Sequence, residues 1–123
     1  MIGYVTIGTN DLARAENFYD ALLAELDGKR VMTNERMRMY AAGAGQPMIA
    51  ICTPHDKRQA TVGNGMMVAL AAGSKEAVHR IYDKAISLGA SDEGPPGARS
   101  AGFYGGYFRD LDGNKLVAFH MGG

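Results

Sequence analysis

The sequence predicts an α+β protein built from two similar β-α-β-β-β modules. The first observation is an internal repeat, since residues 4–7 match residues 67–70 and residues 18–20 match residues 81–83 at one common offset. The second is that each copy opens with a strand pattern followed by a helix pattern, and the third is that each copy closes on a hairpin pattern. With 123 residues, each copy is about half of the chain. We therefore expect a single domain, with module one at about 1–53, a connector at about 54–65 and module two at about 66–123.

Module one begins with a strand and a helix. Residues 2–8 alternate around β-branched side chains, and Asn10-Asp11 supplies an N-cap before apolar residues at helical spacing. A short strand is expected over 29–33. Residues 43–45 (Gly-Ala-Gly) then separate two strand-like runs, which predicts a hairpin of 36–42 with 46–53.

Module two repeats this order. Residues 66–72 form its first strand, Ser74 caps its helix, and Gly89 stands at the C-terminal cap position. Between Gly89 and Phe103, the Gly- and Pro-rich run at 92–97 predicts an exposed loop without regular structure.

A second hairpin closes module two. Asp112-Gly113 turns the strand at 104–109 back into the strand at 115–121, because glycine tolerates a positive φ. Gly105-Gly106 lies inside the first of these strands and predicts either a bulge or a close approach by another group.

The composition argues against several classes of function. Hydrophobic residues make up 46% and charged residues 21%, which is ordinary for a soluble domain. Lys+Arg and Asp+Glu are both 13, so there is no basic excess to attract nucleic acid. No apolar run approaches the ~20 residues that cross a bilayer. Cys52 is the single cysteine, and the N-terminus has no signal-like segment. We expect a cytoplasmic protein with no nucleic-acid or membrane partner.

Two motifs carry a resemblance to a known family. The first runs from 4–7 (Tyr-Val-Thr-Ile) through 11–14 (Asp-Leu-Ala-Arg) to Phe18-Tyr19, and the second is 109–114 (Arg-Asp-Leu-Asp-Gly-Asn) before the last strand. With the paired modules, they make the chain similar to the vicinal oxygen chelate superfamily, which includes glyoxalase I, bleomycin resistance proteins and extradiol dioxygenases. The resemblance implies a curved mixed sheet around a cleft, and a homodimer. Leu111 replaces the proline that the family usually has in this hairpin.

The resemblance also locates the positions that bind a metal ion in some family members. Those members place a histidine on the first strand of a module or a carboxylate on its last strand. The matching positions here are Tyr4, Ala50, Met67 and Val117. Three of these side chains have no hard donor, and a neutral tyrosine hydroxyl is a weak ligand. We therefore expect no metal ion and no cofactor.

Strand alternation then gives the candidate ligand-binding residues. If the four matching positions face the cleft, the other faces read as continuous apolar sets that helices would cover, such as Val5 with Ile7. By this reasoning Met37 and Met39 pack under a helix and leave Arg38 and Tyr40 toward the cleft. The candidate substrate-binding residues are Tyr4, Thr6, Arg38, Tyr40, Ala50, Cys52, Met67, Tyr107, Val117 and Phe119.

Other chemistry-bearing residues have plain alternatives. The three histidines, His55, His79 and His120, do not fall on cleft-facing strand positions and are expected at the surface or in capping roles. Cys52 is expected to be a packed thiol rather than a nucleophile. Arg38 is either a holder of an anionic ligand group or a solvated strand arginine.

The expected function is metal-independent binding of a small apolar or aromatic molecule, as in the antibiotic-binding branch of the family. The alternatives are a metal-dependent lyase or oxygenase of the glyoxalase or dioxygenase type, and a metal-free enzyme that uses tyrosine hydroxyls, Arg38 or Cys52. The catalytic residues of either enzyme stay open at the level of sequence.

Overall fold

The computed structural model describes residues 1–122 and divides into two compact units. The first unit is Met1–Val62, and the second begins at Gly63. Each unit has one helix and one four-stranded sheet. The prediction of an α+β fold with two β-α-β-β-β modules is confirmed.

The first unit contains a mixed sheet with one parallel pair. Its strands follow the order β1-β4-β3-β2, in which β1 and β4 run parallel and the other neighbours run antiparallel. The elements are β1 Tyr4–Gly8, α1 Leu12–Ala24, β2 Lys29–Thr33, β3 Met37–Ala41 and β4 Met48–Cys52.

Helix α1 begins where the sequence predicts it. The Asp11 carboxylate accepts a hydrogen bond from the Arg14 backbone N–H at 3.1 Å, which satisfies one of the amides that a helix leaves unpaired at its start. The buried side of the helix packs on the sheet, and each large apolar side chain buried there contributes about 1.5–3 kcal/mol. The buried helix residues are Ala15, Phe18, Tyr19, Leu22 and Leu23.

The second unit repeats the same topology. Its sheet order is β5-β8-β7-β6, with β5 and β8 parallel and the other pairs antiparallel. The elements are β5 Val68–Ala71, α2 Lys75–Ser87, β6 Ser91–Ser100, β7 Phe103–Arg109 and β8 Lys115–Met121.

The caps of α2 also agree with the sequence. The Ser74 hydroxyl accepts from the Ala77 backbone N–H at 3.1 Å. Gly89 has a φ of +104°, in the region that glycine adopts without a steric penalty, and it follows the C-cap residue Leu88.

The expected loop between Gly89 and Phe103 is wrong, because most of it forms strand β6. This strand pairs antiparallel with β7, with register shifts between Asp92 and Gly94 and between Gly94 and Gly97. Proline lacks a backbone donor and is tolerated on an edge strand or at a bulge, and β6 is the edge strand of its sheet. The glycines and prolines of 92–97 therefore indicate an irregular segment correctly. The segment is nevertheless a strand, because its backbone pairs with β7.

Gly105 and Gly106 mark a close approach, and a register shift in the β6–β7 pairing, between Gly94 and Gly97, lies opposite them. The β7–β8 register runs without a shift from Phe103 opposite Met121 to Arg109 opposite Lys115. A Cβ on Gly106 would lie 3.0 Å from Pro96 Cγ and 3.1 Å from Tyr82 Cδ1. Glycine at this position lets a strand and a helix side chain pack against the β7 backbone.

None of the helices within residues 1–122 combines the length and the apolar character that a membrane crossing requires.

Candidate functional site

In each unit the helix covers one face of the sheet, and we call the opposite face the helix-free face. In the first unit, β1 and β4 pair Thr6 with Ala50 and Gly8 with Cys52. Because paired residues share a face and successive residues alternate, Tyr4 and Met48 lie on this face as well. These positions agree with the parity expected for Tyr4, Thr6, Ala50 and Cys52.

The predicted orientation of Arg38 and Tyr40 is wrong, because both side chains lie under α1. The Tyr40 hydroxyl donates to Asp20 Oδ1 at 2.7 Å, and Arg38 Nε donates to Glu16 Oε1. Tyr40 is only 3% exposed. Burial first, and then the hydrogen bond to Asp20, raise the pKa of Tyr40 well above its ordinary value.

The cause of this error is a hairpin that is longer by one residue in the first unit. Residues 42–47 connect β3 to β4, whereas residues 110–114 connect β7 to β8. Met39 therefore pairs with Ala50, while Tyr107 pairs with Val117. A shift of one residue moves every side chain of a strand to the other face.

The register also identifies the residues that occupy equivalent places. Tyr107 corresponds to Met39, and Tyr40 corresponds to Phe108, which is fully buried and makes an edge contact with Tyr82 of α2. Met37 and Met39 thus lie on the helix-free face of the first unit. Met32 of β2, which pairs with Met39, joins them there.

The helix-free face of the second unit is rich in aromatic residues. This face contains Tyr107, Val117 and Phe119, as their parity predicts. Val117 pairs with both Ala69 and Tyr107, and Phe119 lies two residues after Val117 on β8, so its side chain points to the same face. Phe103 and Phe119 stack with ring centroids 5.4 Å apart and ring planes 3° from parallel. Phe103 lies on this face as well, because it pairs with Met121.

Two cations flank the aromatic ring of Tyr107. The Arg99 guanidinium lies 5.3 Å from the ring centroid and the Lys115 ammonium lies 5.4 Å from it. Both distances are in the range of cation–π attraction. The face therefore combines flat apolar area with positive charge at one end.

Tyr104 lies on the other side of the same sheet. Its hydroxyl is 2.6 Å from His79 Nε2 on α2, and His120 pairs with it across β7 and β8. His79 and His120 are consequently on the helix side of the sheet. His55 lies in the connector and is exposed.

The four positions that match the family's metal ligands do not fit a divalent ion. Ala50 and Val117 are fully buried hydrocarbon side chains. Met67 lies just before β5 and is 43% exposed, and Tyr4 is 53% exposed with a phenol as its only donor. Within residues 1–122, no three His, Cys, Asp or Glu side chains come together in a way that would hold a metal ion.

Cys52 is a buried free thiol at the end of β4. Its side chain is 8% exposed on the helix-free face. A thiol in such surroundings packs as a small apolar group, and reactive cysteines lie instead in more exposed, electropositive places.

The structure contains a pocket that the sequence did not predict. It has a volume of about 640 Å³ and lies in the first unit, where the ends of β1 and β4 meet the β2–β3 turn and the connector. No sequence motif marks this pocket, because its basic residues come from two loops: Arg36 lies in the β2–β3 turn, and Lys57 and Arg58 lie in the connector. The lining residues are Thr9, Asn10, Glu35, Arg36, Thr53, Pro54, His55, Lys57, Arg58 and Gln59.

Comparison with known proteins identifies the family. The chain matches the family model described as Glyoxalase/Bleomycin resistance protein/Dioxygenase superfamily over residues 1–118. A solved glyoxalase/bleomycin resistance protein from Albidiferax ferrireducens T118 is 36% identical, with 99% of each chain covered and a TM-score of 0.91. No curated protein matches the chain.

Two more distant structures share the fold. A glyoxalase/bleomycin resistance protein/dioxygenase family enzyme from Burkholderia phytofirmans PsJN is 18% identical over 97% of both chains, with a TM-score of 0.78. A lactoylglutathione lyase from Agrobacterium tumefaciens is 19% identical over 98% of this chain and 92% of its own, with a TM-score of 0.73. The family match over 1–118, the 36% identity and the repeated β-α-β-β-β topology lead to one conclusion: the chain belongs to the glyoxalase/bleomycin resistance protein/dioxygenase superfamily.

Proposed function

We propose that the protein binds a small apolar or aromatic molecule without using a metal ion. The observation that carries this proposal is the set of side chains at Tyr4, Ala50, Met67 and Val117, where metal-using relatives place imidazole or carboxylate. Three of the four have no hard donor atom, and two of those are fully buried. A divalent ion at these positions would lack the nitrogen and oxygen ligands that it prefers.

The helix-free face of the second unit supports an aromatic ligand. The stacked pair of Phe103 and Phe119 offers a flat surface, and offset stacking of a further ring on such a surface is favourable. Tyr107 adds a phenol close to Arg99 and Lys115. A planar molecule with a polar or acidic substituent would match this combination.

The helix-free face of the first unit supports the proposal of an apolar ligand, because flexible apolar side chains lie there. Met37, Met39 and Met48 lie there around Ala50. Methionine side chains are flexible and polarisable, so they fit ligands of irregular shape. Of the candidate ligand-binding residues, the proposal keeps Tyr4, Thr6, Met67, Tyr107 and Phe119 as accessible contacts, and Ala50, Cys52 and Val117 as buried positions of the same two faces. Arg38 and Tyr40 drop out, because their polar groups are bonded to α1.

The decisive experiment measures metal content and isomerase activity on the same preparation. The protein is incubated with nickel, zinc, manganese or iron, dialysed, and analysed for bound metal, and hemithioacetal isomerisation is assayed in parallel. We expect less than stoichiometric metal and no turnover. Stoichiometric metal together with turnover would instead establish the metal-dependent lyase.

Ligand binding is tested by thermal denaturation with a panel of planar aromatic acids and neutral aromatic compounds. We expect a saturable rise in Tm for the wild type and a smaller rise for Phe119→Leu, which removes the stacked ring. His79→Gln, which changes a side chain on the opposite side of the sheet, serves as the control and should respond like the wild type. Equal responses of Phe119→Leu and wild type would refute the assignment to this face.

We also propose that the protein is a cytoplasmic homodimer. Exposed apolar side chains support self-association, among them Tyr4 at 53%, Met67 at 43% and Met121 at 58% exposure. Cys52 is the single cysteine of the chain and a free thiol, and the absence of disulfide pairs is typical of proteins from reducing compartments. Cell fractionation tests the location.

A further inference from the structure

The pocket of the first unit is a separate feature from the helix-free face. Its lining comes from three loop segments: Thr9-Asn10 after β1, Glu35-Arg36 in the β2–β3 turn, and 53–55 with 57–59 after β4. A volume of about 640 Å³ lies within the usual range for small-molecule sites. Because the carboxyl ends of parallel β1 and β4 lie side by side, the loops after them meet here.

Hydrogen bonds between these loops hold the pocket walls in place. The Asn10 side chain donates to the Ala60 carbonyl at 3.1 Å and accepts from the Ala60 N–H at 2.6 Å, which ties the connector to the segment before α1. Arg36 Nη1 donates to the Thr53 carbonyl at 2.7 Å, and the Thr53 N–H donates to the Arg36 carbonyl at 3.0 Å. Such contacts limit the loss of conformational entropy when a ligand binds.

The charge of the lining is positive although the whole chain has a formal charge of zero. Arg36, Lys57 and Arg58 contribute three cations, and Glu35 is the one carboxylate among the lining residues. Asp56 is not part of the lining, and its carboxylate accepts a hydrogen bond from the Arg58 backbone N–H at 2.9 Å. Three cationic residues in the lining of one concave surface raise the local concentration of anions.

We propose that this pocket binds a small, multiply charged oxyanion, of the class of phosphate monoesters or di- and tricarboxylates. Arginine presents donors in a planar fork that fits phosphate and carboxylate oxygens, and lysine adds a point charge. The Thr9 and Thr53 segments contribute the polar remainder of the wall. The site is independent of the aromatic ligand proposed above, because it uses none of the same residues.

The test measures Tm at constant ionic strength with inorganic phosphate, citrate or chloride. Three proteins are compared: the wild type, Arg58→Gln, and Lys29→Gln as a charge-matched control on β2 outside the pocket. Arg58 is chosen because it is exposed, whereas Arg36 ties two loops together and its loss would disturb folding. Isothermal titration then gives the affinities.

We expect phosphate or citrate to raise Tm saturably in the wild type and in Lys29→Gln. Arg58→Gln should bind the anion at least about tenfold more weakly, because a charge-assisted hydrogen bond to the ligand is lost. A response to phosphate alone identifies a phosphorylated ligand, and a response to citrate alone identifies a polycarboxylate. If neither anion exceeds chloride, or if all three proteins respond equally, the proposal is wrong. These outcomes are separate from the response to aromatic ligands, which tests the helix-free face of the second unit.

Discussion

At the scale of single residues, two tyrosines that the sequence predicts on the cleft side, Tyr40 and Tyr107, have different roles. Tyr40 is buried under α1 with its hydroxyl on Asp20, while Tyr107 lies on the helix-free face between two cations. Asp20 also accepts from Arg30 Nε at 3.1 Å, so Tyr40 is part of a polar cluster between helix and sheet. Alternation within a strand could be predicted from sequence, but which of its two faces meets the helix could not.

Removing the Tyr40 hydroxyl should therefore destabilise the protein more than removing that of Tyr107. We expect Tyr40→Phe to lower the free energy of unfolding by about 1–2 kcal/mol, since a buried hydrogen bond to a carboxylate is lost. Tyr107→Phe is the control and should change it by less than about 0.5 kcal/mol. Urea denaturation of both variants provides the comparison, and a larger loss in the control would contradict the register described above.

The contact between Tyr82 and Asp92 predicts a pH dependence. The Tyr82 hydroxyl donates to Asp92 Oδ1 at 2.7 Å, and burial followed by this hydrogen bond raises the pKa of Tyr82 from 10.0 to about 12. A raised pKa means that the contact contributes its full stability below pH 10 and loses it as the pH rises toward about 12. In a Tyr40→Phe background, which removes the other phenol of raised pKa, ultraviolet titration should show a late ionisation that Tyr82→Phe abolishes and Ser91→Ala retains.

The same contact acts on Asp92 in the opposite direction. The Tyr82 hydroxyl first, and then the Gly94 N–H, lower the pKa of Asp92 below its ordinary value of 3.8. Its contribution is therefore present above that value and is lost as the pH falls through the lowered pKa. Carboxyl NMR titration of Tyr82→Phe should show the Asp92 pKa returning upward, and an unchanged pKa would mean that the hydroxyl is not its partner in solution.

At the scale of elements, the helices and most strands could be predicted from local sequence patterns. The remaining strand forms only because it pairs with residues of another strand. The helix caps at Asp11 and Ser74 could be predicted from sequence, because each cap bonds to a backbone N–H only three residues further along the chain. Strand β6 could not, because its glycines and prolines favour a loop until β7 supplies hydrogen-bond partners. Tertiary context overrides intrinsic preference in such edge strands.

The packing of β7 against α2 and β6 requires glycine at position 106. We expect Gly106→Ala to cost about 1–3 kcal/mol, because the new methyl group would lie about 3 Å from atoms of Pro96 and Tyr82. Gly3→Ala is a matched control, since a Cβ there has no neighbour within 4 Å. Thermal and urea denaturation of the two variants give the answer, and equal stability would mean that β6 moves aside without cost.

At the scale of the whole molecule, the family and the fold class followed from the repeat and its motifs. The cationic pocket did not, because its residues come from loops whose meeting depends on the parallel pairing of β1 and β4. The composition, with equal numbers of acidic and basic residues, gave no sign of a local excess. Overall charge constrains partners only when the charges are spread evenly.

The proposed homodimer gives a prediction at this scale. Sedimentation should give about twice the chain mass of 13.1 kDa. Met121→Lys places a charge at an exposed apolar position of the helix-free face and should weaken the dimer at least about tenfold, a cost of about 1.4 kcal/mol. Ile86→Lys, on the surface of α2 with 36% exposure, should leave the mass unchanged. A monomeric wild type at micromolar concentration would exclude the dimer.

The extra residue in the 42–47 connection has a consequence for hybrid proteins. The two halves of the chain are similar, yet no single numbering offset aligns all of their strands, because β6 is longer than β2 and the hairpins differ in length. In a chimera in which β7 replaces β3 with Tyr107 at the position of Tyr40, the Tyr107 side chain would point toward α1. Phe108, which is buried in its own unit, would then lie on the helix-free face and be exposed. Because their registers differ by one residue, β3 and β7 cannot be interchanged at these positions without turning their side chains to the other face of the sheet.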